Sequence, residues 1–208
     1  MKASRKKMPR SYSDFTLTDL REMFGISNEN KSLNLPKNKI EPSDWLITTI
    51  NKHKGIPKGT EKAKSELFIV PVLLEMYDNN PDVFKYFSGY SFDVDPEKAL
   101  KGKCDFILSR SKSLDIQAPI FSIFEAKDDS LEHWYGQCGA EMYAARLFNE
   151  QSNNDIKIIF GAVSNGNTWQ FLKLEENNLL IDTTTYGLEN LPVLLGTLQI
   201  IIDFYTQV

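Results

Sequence analysis

Residues 120–127 read Ile120-Phe121-Ser122-Ile123-Phe124-Glu125-Ala126-Lys127. Six of these eight are apolar or small, and isoleucine and phenylalanine dominate, the composition of a buried strand. The stretch ends in an acid and a base two positions apart. Side chains alternate across a strand, so Glu125 and Lys127 share one face and Ala126 takes the other. Opposite charges at the end of a core strand are costly to bury unless each has a partner or a task.

Working outward, residues 103–109 (KCDFILS) form a second strand, with Cys104, Phe106 and Leu108 on one face and Asp105 and Ile107 on the other. The polar connection 110–117 predicts an antiparallel hairpin between the two. Downstream, a helix over 130–149 starts with Glu132 in its first turn and carries small residues at Gly136, Gly139, Ala140, Ala144 and Ala145, suited to close packing on a sheet. A strand over 156–163, the Asn165-Gly166 turn and a strand over 169–174 predict a second hairpin. Residues 179–184 are expected as an edge strand, and 188–205 as a closing helix.

Upstream, Thr60 caps a helix over 61–77 with an apolar stripe at Ala63, Leu67, Val70, Leu74 and Tyr77. Pro71 within it removes one backbone donor and predicts a kink. Residues 86–94 read as the first strand of the sheet. Before that helix stand two short helices, one opened by Thr16 and stopped by Gly25, the other capped by Ser43. Residues 27–39 are polar and read as loop. The expected architecture is α/β (α+β), a mixed central sheet flanked by helices on both faces. Among motifs, no Gly-rich phosphate loop and no G-x-S-x-G elbow is present.

A chain of 208 residues is expected to make one domain with a full core. We read residues 1–13 as a disordered basic arm and residues 14–208 as a single domain with its core over about 60–174. The formal net charge of −4 gives no overall basic excess of the kind that marks a nucleic-acid binder. The basic groups are local: five in residues 1–10, and five lysines against one glutamate in residues 52–64. Those lysines suit phosphate contacts or a solvated face. Cys104 and Cys138 match no metal-binding spacing and read as a reduced pair. No apolar run reaches the ~18 residues of a membrane span, and no apolar segment follows the basic N-terminus as in a secretory signal. A cytoplasmic protein with no membrane partner is the expectation.

If the two strands of the first hairpin pair in facing register, Asp105 comes beside Glu125. Neighbouring carboxylates repel unless a proton or a cation lies between them. A hard cation such as Mg²⁺ takes oxygen ligands, commonly one or two carboxylates with water and substrate phosphate. Lys127, on the face of Glu125, is then placed to orient a water or to offset developing charge.

Gly102-x-x-Asp105, then Glu125-Ala126-Lys127, then a helix with Gln137, resembles the D…(D/E)-x-K signature of the PD-(D/E)XK, or restriction-endonuclease-like, nuclease superfamily. The segment from about Thr60 to Trp169 is similar in element order to that family's αβββαβ core. Ser164-Asn165-Gly166-Asn167-x-Trp169 is similar to nuclease domains at the N-terminus of type I restriction motor subunits. The resemblance implies a metal-dependent nuclease acting on phosphodiester bonds, with DNA as its substrate. It implies Mg²⁺ (or Mn²⁺) on Asp105, Glu125 and the backbone carbonyl of Ala126, and Lys127 serving the attacking water. A glutamate of the first core helix would complete the set; Glu66 is the choice, with Glu61 and Glu75 as rivals. Gln137 falls where some members place a glutamine near the active site. The family's proline-aspartate pair is Cys104-Asp105 here.

Two other readings stand beside it. Glu125 and Lys127 can be a cross-strand ion pair at a sheet edge, and Gln137 a structural hydrogen bonder. The whole domain can be a non-catalytic nuclease-like binding or scaffolding module, working as a homodimer or with a partner subunit.

Overall fold

The computed structural model describes residues 8–36, 38–127 and 130–206, with main chain alone at Ser122, Ile123 and Ala126. The strands are β1 (Ser27–Asn30), β2 (Lys85–Ser91), β3 (Lys103–Ser109), β4 (Ile120–Ala126), β5 (Ile159–Ser164), β6 (Thr168–Glu175) and β7 (Asn178–Gly187). They form one seven-stranded sheet in the order β1-β7-β6-β5-β4-β3-β2. The β4–β5 and β1–β7 pairs are parallel and the rest antiparallel, so the sheet is mixed. The helices are α1 (Leu17–Phe24), α2 (Asp44–His53), α3 (Glu61–Lys64), α4 (Val70–Asn79), α5 (Tyr135–Gln151) and α6 (Leu191–Thr206).

Alternate residues of β5 show how helices cover both faces. Gly161 lies under α5, where a Cβ would meet Met142 Sδ at 2.5 Å and Cys138 Sγ at 3.0 Å. Its neighbour Phe160 points the other way and meets Phe204 of α6 at a centroid distance of 5.6 Å. A parallel pair needs a crossover, and α5 supplies it between β4 and β5. β4 is thus an interior strand of the sheet, and its last residues emerge beside the start of α5.

The antiparallel β3–β4 pairing and the β5–β6 hairpin follow the sequence expectation. Five features do not. Residues 27–39 include a strand, because the polar Ser27–Asn30 segment pairs with Asn178–Ile181. That pairing covers β7, which is therefore not the edge expected for residues 179–184. The first sheet strand ends at Ser91; Phe92 and Val94 instead bond Gly102 and Leu100 across a loop. The arm also begins the domain earlier than expected: Tyr12 is buried, and its hydroxyl donates to the Phe92 carbonyl at 2.7 Å. Residues 1–7 lie outside the described residues.

The fifth concerns Pro71. Between α3 and α4 the chain makes a π-helical turn, Ser65–Ile69, and Pro71 falls in the first turn of α4. Proline leaves the carbonyl four residues back, that of Leu67, without its α-helical donor. His53 is half-buried, and its Nδ1–H donates to that carbonyl at 2.7 Å. No helix among the described residues is long and apolar enough to cross a membrane.

Candidate active site

The end of β4 carries a buried charge network. Glu125 and Lys127 are 2 % and 7 % exposed. Glu125 Oε1 accepts from Lys127 Nζ at 2.8 Å and from Gln137 Nε2 at 2.5 Å. Gln137 Nε2 also donates to Glu141 Oε1 at 3.0 Å, so its amide group bridges two carboxyls. The geometry follows from local structure. Lys127 N donates to Ser164 O at 2.7 Å, extending the β4 ladder past its last residue. Gln137 and Glu141 are one helical turn apart near the start of α5, on the side facing β4.

Asp105 is half-buried on β3. The β3–β4 register pairs Phe106 with Phe124. Carried one residue further, it sets Asp105 across from Glu125. On the other side, the β2–β3 register runs without a shift, and Gly89 falls opposite Asp105. Gly89 has φ 70°, a left-handed conformation that glycine adopts without penalty, so β2 is locally distorted beside this carboxylate.

These environments shift the titrations. Burial, then the charge of Asp105, pushes Glu125 up to about 7, against the opposing pull of Lys127. Burial, then Glu125, pushes the Glu141 carboxyl well above the usual range. Burial works to lower the Lys127 ammonium, but Glu125 outweighs it and the net shift is upward. Three buried oxygens of the cluster have no hydrogen-bond donor: Glu125 Oε2, Gln137 Oε1 and Glu141 Oε2. Unmet acceptors at one spot mark a deficit of positive charge or protons.

The helix glutamates divide. Glu66 lies in the π turn, exposed, 3.8 Å from Lys62. It shares a cleft of about 350 Å³ with Glu61, Ser65, Ser88 and Asp105. Glu61 also acts electrostatically on Lys127. Glu75 is elsewhere: it is buried and accepts from Ser43 N and Ser43 Oγ, both at 2.7 Å. That rival fastens the start of α2 and is a structural residue. Ala126 pairs with Ser164 through the main chain.

Two members of the network are not joined to Glu125 and Lys127 by the sequence alone. Glu141 is fully buried, and its only advance signal is a lone acid among glycine and alanine one turn after Gln137. Trp134 places its ring 4.2 Å from Lys127 Nζ. Nothing in the sequence links those two positions. Among the described residues, no three His, Cys, Asp or Glu side chains form a group arranged to hold a metal ion. No family model, curated protein or solved structure matches the chain.

Proposed function

We propose that this protein is a divalent-metal-dependent nuclease with a restriction-endonuclease-like core, hydrolysing phosphodiester bonds in DNA. The observation that carries the reading is the Asp105–Glu125 pair on adjacent strands with the Lys127 ammonium bonded to Glu125. The order of a helix, three strands, a crossover helix and a strand across residues 61–164 supports it.

The donor set suits Mg²⁺ or Mn²⁺. It is all oxygen, two carboxylates are neighbours, and Glu125 Oε2 accepts from no N–H donor. Asp105, Glu125 and the Ala126 carbonyl would hold the ion, with Glu66 or Glu61 reaching it from the cleft. When bound, such an ion supplies an acidified water and offsets charge on the phosphoryl oxygens. The protein's own groups do the rest. Gln137 fixes the Glu125 carboxylate by bonding one oxygen and leaving the other open. Lys127 presents a permanent positive charge beside the phosphate and donates N–H to an attacking water.

The test is incubation of the purified protein with supercoiled plasmid and Mg²⁺ or Mn²⁺, alongside Asp105→Ala and Lys127→Ala. Cutting by the parent and loss of about 10²-fold or more in both variants is expected.

One observation favours a second reading, a non-catalytic module that works with a partner subunit or a second copy. Lys127 and Gln137 both direct their donors at the same Glu125 oxygen, as in a closed structural network. A parent that leaves plasmid intact, with Mn²⁺ affinity unchanged in Asp105→Ala, decides for that module.

A further inference from the structure

Lysine carries its charge on a flexible four-carbon stem with three rotatable donors, so one hydrogen bond leaves the ammonium free to swing. At Lys127 that freedom is closed off. Glu125 Oε1 lies 2.8 Å from Nζ, the Trp134 ring centroid lies 4.2 Å from it, and the side chain is 8 % exposed. A cation over an indole face is drawn by the ring quadrupole, most strongly when water is excluded. The indole is itself well placed. Trp134 ends a short 3-10 turn, Leu131–Trp134, anchored by buried Leu131, and its backbone forms the N-cap of α5. The same element therefore sets both charges of the pair, Glu125 through Gln137 and Lys127 through Trp134.

Resting on the nuclease reading above, we propose that Trp134 is a positioning residue for the reaction. It holds the Lys127 ammonium against Glu125 and fixes the direction of the N–H groups left for water and phosphate. Trp134 is only half-buried, so its variants are expected to keep the fold.

The experiment compares the full-length parent with Trp134→Phe and Trp134→Ala, each checked for parental circular dichroism and melting. First, metal-free protein is pulsed with an amine-acetylating reagent and Lys127 modification is read by peptide mass spectrometry, with exposed Lys62 as internal standard. Loss of the cation–π contact should speed Lys127 labelling about tenfold in Trp134→Ala, while Trp134→Phe stays near the parent. Second, plasmid cleavage with Mn²⁺ should show kcat reduced about 30-fold in Trp134→Ala with KM nearly unchanged, and largely restored in Trp134→Phe. Equal labelling of parent and Trp134→Ala overturns the proposal. So does unequal labelling with equal kcat, because the contact then has no bearing on the reaction. A parent that never cuts overturns the nuclease reading itself, and the labelling result then reports separately on the stacking.

Discussion

Glu141 accepts at 3.0 Å an amide hydrogen of Gln137, whose Nε2 also bonds Glu125, and through this shared donor a fully buried acid is tied to the end of the central strand. The Glu125 carboxyl also hydrogen-bonds Glu141, but no N–H reaches Glu141 Oε2. A buried acid half-satisfied in this way destabilises the fold relative to an apolar side chain of similar size. Glu141→Leu should therefore raise the unfolding free energy at pH 7.5 by about 1–3 kcal/mol in urea titrations. A drop of that size instead would mean that the Gln137 bond outweighs the desolvation of the acid.

The pH dependence of stability follows from the same cluster. Glu125 sits at about 7 in the folded chain against an ordinary value of 4.5. Between those values the folded state binds more protons than the unfolded one, so stability is highest below pH 4.5 on this account and declines as pH rises towards 7. The coupled Glu141 carboxyl, shifted the same way, adds to this decline. Lys127, shifted upward, contributes stability that is lost only in the alkaline range. Unfolding free energies of parent and Glu125→Gln at intervals from pH 5 to 8 check this. A parent slope no steeper than that of the variant would refute it.

Glu75 and Glu66 should separate cleanly. Glu75→Ala leaves the Ser43 N–H and hydroxyl without their acceptor at the start of α2. A loss of about 1–3 kcal/mol of stability is expected, with no change in Mn²⁺ affinity. Glu66→Ala removes an exposed side chain whose ion pair with Lys62 contributes little. Melting should stay put and Mn²⁺ affinity, read by calorimetry, should fall. The opposite pattern would return the metal role to Glu75.

His53 donates to the Leu67 carbonyl that Pro71 leaves without its usual donor. His53→Ala should cost about 1–2 kcal/mol by chemical denaturation. In Pro71→Ala a backbone N–H is restored at position 71, and the penalty for losing His53 should shrink in the double variant. Strictly additive effects would show that the two sites act independently.

Much of this fold was readable from local pattern. The apolar run into Glu125, the alternation at Cys104–Asp105–Phe106 and the Asn165-Gly166 turn each dictate their own structure. They correctly set β3 against β4 and β5 against β6. What escaped was long-range. Ser27–Asn30 has no apolar residue and becomes a strand only because β7 offers it a parallel edge. Tyr12 sits in a basic, polar segment, and its burial depends on a carbonyl eighty residues away. In the site, Glu125, Lys127 and Gln137 were visible because their spacing matches a signature. The link of Glu141 and Trp134 to Glu125 and Lys127 was not, because an acid on a small-residue helix and an aromatic before it reach β4 only once α5 lies on it.

The pairing of Ser27 with Asn178 bears on how the chain is made. During synthesis the first segment of the sheet leaves the ribosome about 150 residues before its mate, so it must wait, unpaired, while the remaining strands emerge. The closing pairing joins two segments about 150 residues apart in the sequence. Shortened versions lacking residues 1–30 would display a bare β7 rim to other molecules and would also lose the buried Tyr12, Phe15, Leu20 and Ile26, so clumping should accompany a loss of stability.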